Sequence, residues 1–264
     1  MTAPTSELKK CGPWTPVTGP TSDINYQFAS HLAAAALNLL LVVRCADHLA
    51  VLNIDLEPAY DITLEQVDAV LWSLDGPEKV LGTVEKRDVE LLVSNAGFGH
   101  KGWFASHSRV DVEAMFYVDA GAPLPLLHEL IPRLAQRTLD SVIITGSKEV
   151  EQSYPWFTDC STTKAFVHSL GQGLNGENRG RTSVNVLALA PDATDIGGLT
   201  LQGFESKNMS ELMNPAKLAG QALYALGGKP FHIRSAMNRV FVRTLRLLPV
   251  SGPPLPRERA WLTP

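Results

Sequence analysis

Three side chains able to do chemistry stand at regular spacing in the middle of the chain. Ser147 comes first, Cys160 follows thirteen residues later, and Lys164 four residues after that. If the segment around Cys160 is helical, a step of four places thiol and ammonium one turn apart on one face. A nearby ammonium favours the thiolate, which makes Cys160 a candidate nucleophile or general acid/base. The plainer alternative is a small buried residue that fills space. Ser147 follows Gly146 at the end of an apolar run, where its hydroxyl can hydrogen-bond a substrate carbonyl or simply cap a strand. Asp119 is a further candidate. Beside Lys164 it forms a buried ion pair, and it becomes a base only if a ligand separates the two. Aromatic residues cluster around these positions. Phe98, His100 and Trp103 lie on a Gly-containing loop, and Tyr154, Trp156 and Phe157 precede Cys160. Walls of this kind suit a large apolar or cyclic ligand. Tyr154 is the phenol nearest Cys160 and acts as an acid only if its loop folds inward. A loop histidine such as His100 is more often a surface residue than a catalyst.

The elements that must carry these residues alternate along the chain. Strand patterns cover Thr15–Thr18, Leu37–Val43, Val67–Leu74, Val89–Ser94, Ser141–Thr145 and Ser183–Ala190. Helical patterns cover Tyr26–Ala36, parts of Val110–Arg137, and Thr162–Leu174. Apart from Asn38, Leu37–Val43 is apolar throughout, as expected of a strand buried on both faces. Strands separated by helices predict a parallel sheet with right-handed crossovers. The reading is one α/β domain, a Rossmann-like doubly wound parallel sheet with a small substrate lid. Residues 1–11 form an N-terminal tail, 12–250 the domain, about 193–210 the lid, and 251–264 a Pro-rich C-terminal tail.

The motifs within those elements resemble the short-chain dehydrogenase/reductase family. Leu91–Gly97 resembles its strand-plus-Asn-Ala-Gly segment, with Asn95, Ala96 and Gly97. The Ser147, Cys160, Lys164 spacing is that of its Ser…Tyr-x-x-x-Lys site. Val184–Pro191 resembles the strand ending in Pro-Gly, with Thr194 at its usual threonine. Thr18-Gly19 opens the segment of the glycine-rich cofactor loop, and Arg44 stands where NADP-preferring members carry an arginine. The resemblance runs from about Gly12 to Pro249. It implies cofactor contacts from Thr18, Gly19, Ser22, Ile24, Arg44, Asn95, Ala96, Gly97, Lys164, Pro191 and Thr194, and a cleft at the carboxyl ends of the strands. It also implies that Ser147 polarises a substrate oxygen, that position 160 supplies the proton, and that an asparagine at 119 ties Lys164 to a relay water. Family members commonly dimerise through the helices holding 119 and 164, so a homodimer or homotetramer is expected.

The chain departs from that pattern where chemistry depends on it. Position 160 is cysteine instead of tyrosine, and position 119 is aspartate instead of asparagine. The family's Thr-Gly-x-x-x-Gly-x-Gly reads Thr18-Gly19-Pro20-Thr21-Ser22-Asp23-Ile24-Asn25 here. Asp23 places a carboxylate where two phosphate charges would lie, a like-charge cost of roughly 3–4 kcal/mol per pair at an effective dielectric near 20. Asn25 adds bulk where the third glycine lets the helix pack on the strand. The Pro-Gly after the sixth strand becomes Pro191-Asp192, and the acidic residue after the third becomes Ser73.

Taken together, these changes predict an enzyme on this fold that has lost ordinary hydride transfer. Isomerisation, cyclisation or elimination on an apolar carbonyl-bearing or polycyclic metabolite is expected, with no cofactor, or NADP(H) if one is retained. The alternatives are a divergent NADPH-dependent ketone or quinone reductase, using Tyr154 or water as its acid, and a non-catalytic binding or scaffold protein. A net charge of −4 leaves no basic footprint for nucleic acid. Three scattered cysteines without a CxxC pair argue against zinc or a disulfide framework and for a reducing, cytoplasmic setting. Residues 1–10 lack the apolar core of a signal peptide, and the apolar run Leu32–Val43 is too short to span a bilayer, so no membrane association is expected.

Overall fold

The computed structural model describes residues 14–21, 23–44, 56–137, 140–147, 156–191, 194, 212–226 and 231–232. Both tails and, apart from Thr194, the lid lie outside these residues. Ser22, Tyr154 and Asp192 lie outside them as well.

Among the described residues seven strands form one sheet. They are β1 (Trp14–Thr18), β2 (Asn38–Val43), β3 (Leu64–Asp68), β4 (Leu91–Ser94), β5 (Asp140–Thr145), β6 (Val184–Leu189) and β7 (Phe231–His232). The order is β3-β2-β1-β4-β5-β6-β7 and every pairing is parallel. The helices between them are α1 (Asp23–Ala34), α2 (Gly76–Val84), α3 (Arg109–Phe116), α4 (Pro123–Leu134), α5 (Thr158–Asn178) and α6 (Pro215–Ala225). The strand order reverses between β1 and β4, the crevice where doubly wound sheets hold their ligands.

The strands divide their side chains between two cores because successive residues point to opposite faces. In β2, Leu39, Leu41 and Val43 join Phe28, Leu32, Leu218 and Leu223 of α1 and α6. Leu40 and Val42 face the other way, toward Val80, Leu126, Leu130 and Val167 of α2, α4 and α5. With apolar residues required on both faces, the strand reads as a continuous apolar run.

Helices α2 and α6 and the short strand β7 have no counterpart in the sequence reading, and several boundaries differ from it. The strand expected at Val67–Leu74 is Leu64–Asp68, and Leu71–Asp75 is a turn whose Ser73 hydroxyl donates to the Val70 carbonyl at 2.7 Å. That local bond offers the backbone an alternative to the ladder. The helical stretch expected between Val110 and Arg137 is interrupted by a π-helical turn, Tyr117–Gly121, closed by the Ala122 N–H on the Tyr117 carbonyl at 2.7 Å. Proline explains the interruption. Pro123 and Pro125 have no N–H for the carbonyls of Asp119 and Gly121, and a proline ring clashes with the carbonyl four residues back. Widening the turn relieves both, as π-bulges do.

Candidate active site

The π turn carries Asp119, and it points the side chain inward. Asp119 is 2% exposed, and three donors converge on its carboxylate. Lys164 Nζ lies 3.0 Å from Oδ2, the Thr163 hydroxyl donates to the same oxygen at 2.9 Å, and the Phe98 N–H donates to Oδ1 at 3.1 Å. Gly97 makes this convergence feasible, because a Cβ there would lie 2.6 Å from Lys164 Nζ and 2.7 Å from Asp119 Oδ1. Burial pulls the Lys164 ammonium down, but the Asp119 carboxylate and the nearby Cys160 outweigh it and hold the group above its usual range. A carboxylate occupied by three donors and sealed from the cleft is a poor base. Asp119 and Lys164 are thus directly paired, the first of the two arrangements expected from sequence, with no ligand between them.

Helix α5 presents both Cys160 and Lys164. It begins at Thr158, four residues earlier than its sequence pattern suggested, so both residues sit in its first two turns. Close approach of α5 to the sheet depends on Gly171, where a Cβ would fall 2.5 Å from Ile144 Cδ1 and 2.9 Å from Ala188 Cβ. Cys160 is half-buried, and its N–H donates to Asp159 Oδ1 at 2.9 Å. Ser147, also half-buried, follows β5, where the Gly146 N–H donates to the Leu189 carbonyl at 2.9 Å. Pro191 continues from β6, and Thr194, 4% exposed, bridges to Met213.

The amino end of α1 shows what became of the glycine loop. Thr18 Oγ1 accepts the N–H groups of Asn95 at 3.0 Å and Ala96 at 2.9 Å, which ties the ends of β1 and β4 together. Gly19 turns the chain at φ 66°, and Ile24 is partly buried against the core. Asn25, 2% exposed, donates to the Gly19 carbonyl at 2.7 Å and accepts from the Asn95 amide. Bulk at position 25 is thus absorbed by a polar bridge across the loop. Asp23 is exposed in the first turn of α1, where a helix N-terminus favours an anion. Arg44 is exposed after β2, its guanidinium 5.5 Å from the Trp72 ring centre.

The aromatic residues gather at the rim. Trp103 and Trp156 lie 5.7 Å apart, Phe98 meets His100 edge-on at 5.4 Å, and Phe157 is partly buried. Trp103 is 63% exposed, so it borders the cleft instead of enclosing it as expected. Three residues absent from the sequence reading complete the neighbourhood: Thr163, His107 and Asp159. The last two had one legible signal: a second histidine seven residues after His100 and a carboxylate directly before Cys160. A separate groove between α2 and α4, bordered by Leu81, Glu85, Leu124 and His128, contains none of these residues.

Fold and site together define a doubly wound protein with its cleft at the strands' carboxyl ends. The chain matches the short chain dehydrogenase family model over residues 14–202, and it belongs to that family. It is 24% identical over 174 residues to a very-long-chain 3-oxoacyl-CoA reductase-B from Danio rerio, covering 64% of this chain and 56% of that one. It therefore spans little more than half the length of that relative. A short-chain dehydrogenase from Sphingobium yanoikuyae in complex with NADPH superimposes with a TM-score of 0.75 at 25% identity, over 81% of this chain and 84% of that one. A bulky-bulky ketone specific alcohol dehydrogenase from Comamonas testosteroni gives 0.76 at 25% identity, over 89% and 92%. Among the described residues, no helix is long and apolar enough to cross a membrane.

A dinucleotide is what such a fold implies, and the residues fit it unevenly. Lys164, Thr18 and the Asn95–Gly97 backbone are the residues that would hold its ribose and nicotinamide end, and they lie together where β1 and β4 end. The diphosphate end does not match: Asp23 supplies a carboxylate, and the Asn25 bridge fills the loop that glycines leave open.

Proposed function

We propose that the chain binds an apolar, carbonyl-bearing metabolite in this cleft and transforms it by acid–base chemistry, without hydride transfer. Isomerisation, cyclisation and elimination need only a shaped pocket and groups that hold and move a proton. Ser147 polarises the substrate carbonyl. Cys160 carries the proton, with its thiolate favoured by the Lys164 ammonium. Asp119 keeps that ammonium in place and charged. The carrying observation is the Lys164–Asp119 pair at 3.0 Å, beside a cysteine at the family's acid position.

A second reading, an NADPH-dependent ketone reductase, draws on a specific observation as well. Arg44 stands exposed over Trp72 at the end of β2, where it can meet a phosphate, and the relatives named above are reductases and dehydrogenases. Calorimetric titration with NADPH separates the two. The acid–base reading expects binding no tighter than about 1 mM, near −4 kcal/mol, and a gain on restoring Asp23→Gly with Asn25→Gly. A dissociation constant near 1 μM, about −8 kcal/mol, together with ketone-dependent NADPH oxidation, establishes the reductase instead.

A further inference from the structure

Two histidines from the loop after β4 converge on one carboxylate oxygen at the start of α5. His107 Nδ1 lies 3.0 Å from Asp159 Oδ2, and His100 Nδ1 lies 3.7 Å from the same atom. The three ligand atoms fall within 4.8 Å of one another. Tetrahedral zinc with bonds of ~2.0–2.1 Å separates neighbouring ligand atoms by about 3.3–3.4 Å, a value these spacings bracket. A hydrogen-bonded His–Asp couple accounts for His107 alone. It leaves His100 Nδ1 out of water with no hydrogen-bond partner, an unfavourable state that a bound cation would relieve.

The surroundings hold the three groups in place. Asp159 has a side-chain exposure of 4%, and its other oxygen accepts the Cys160 N–H at 2.9 Å. A bond of this kind orients a ligating carboxylate. The imidazoles pack on each other with centres 5.1 Å apart, and Phe98 supports His100. Gly102 gives His107 its room, because a Cβ there would lie 2.8 Å from Nε2. Ser108 caps α3 by accepting the Asp111 N–H at 3.1 Å, which fixes where the loop ends, directly after His107.

We propose that His100, His107 and Asp159 form a binding site for a divalent transition metal, best suited to zinc, next to Cys160. Two neutral imidazoles and a carboxylate are a nitrogen-rich set that zinc accepts, whereas magnesium and calcium require oxygen ligands. Three protein ligands leave the fourth position open to water or a substrate oxygen, as in catalytic zinc sites. Asp159 is adjacent to Cys160, so that open position lies close to where the family keeps its acid. Metal binding here is independent of whether hydride transfer is retained.

The test is titration of chelator-treated full-length protein with zinc chloride by calorimetry, beside thermal unfolding. One equivalent is expected to bind and to raise the melting temperature. His100→Ala and His107→Ala each weaken binding by about tenfold or more, and Asp159→Asn, which keeps the side chain's shape, does the same. Exposed His128, beside Glu129, is the control, and His128→Ala leaves zinc binding unchanged. Metal-free melting curves show whether each variant is folded, and Asp159→Asn serves where a histidine variant is not. Zinc bound with undiminished affinity by His100→Ala with His107→Ala overturns the site. So does the absence of binding at millimolar zinc, and magnesium binding as tight as zinc overturns the choice of metal.

Discussion

Lys164 has a carboxylate partner where the family's pattern supplies a neutral amide at position 119, and the exchange has an energetic consequence. Both charges are withdrawn from water, so each depends on the other. Removing one leaves the other buried and uncompensated, at a cost of typically 3–5 kcal/mol. Asp119→Asn or Lys164→Met alone should therefore lower stability strongly, and the double variant should recover much of the loss. Denaturant unfolding of the four proteins measures the coupling, and strictly additive losses rule the pair out. The pair's pH range follows from the sign of the shift. Lys164 is held above its usual 10.5, so its contribution is complete at neutral pH and is lost only as alkali titrates the folded protein above that value.

At the level of elements, two devices set the position of these residues. Pro123 and Pro125 force the π turn that delivers Asp119, and Gly171 lets α5 lie close on β5 and β6. The two faces of α5 therefore respond differently to substitution. Gly171→Leu has to displace Ile144 and Ala188 and should cost about 1–3 kcal/mol or more, with a shift of Cys160 and Lys164 away from Ser147. Gly173 has nothing within 4 Å of a built Cβ, so Gly173→Ala should stabilise the helix by up to about 1 kcal/mol. Denaturant midpoints for the two variants check this. Equal effects would mean that α5 does not pack on the sheet through Gly171.

For the molecule as a whole, the pH dependence of stability should carry the mark of one buried acid at the opposite end of the sheet from the cleft. Asp140 opens β5 with no exposure, and Arg137 Nε lies 3.8 Å away while that guanidinium also pairs with Asp88 and Glu90. Burial first, and then the Glu90 charge, push Asp140 up to about 6 against the pull of Arg137. A folded value above the ordinary 3.8 means the native state holds this proton more tightly than the unfolded chain. The contribution is therefore full below about 3.8 and is lost as pH rises to about 6. Asp140→Asn should raise the melting temperature at pH 7 and remove that descending step. A variant less stable than the parent at pH 7 contradicts the assignment.

The sequence by itself determined the alternation of strands and helices, the doubly wound class and the family, but not α2, α6 or β7. Leu39–Val43 had to be apolar on both faces, and the motifs from Thr18 to Thr194 kept their order and spacing. Local pattern carries such information because side-chain period and turn chemistry act between near neighbours. It also showed that positions 23, 25, 119 and 160 were altered. The consequences were decided only by tertiary structure. Asn25 bridges Gly19 to Asn95, seventy residues away, and Asp119 is closed off by donors from Phe98, Thr163 and Lys164. His107 meets Asp159 fifty-two residues further along the chain. No periodicity encodes these contacts. They arise when packing brings β1, β4, the π turn and the start of α5 to one end of the sheet, and they persist because buried polar groups must find partners there.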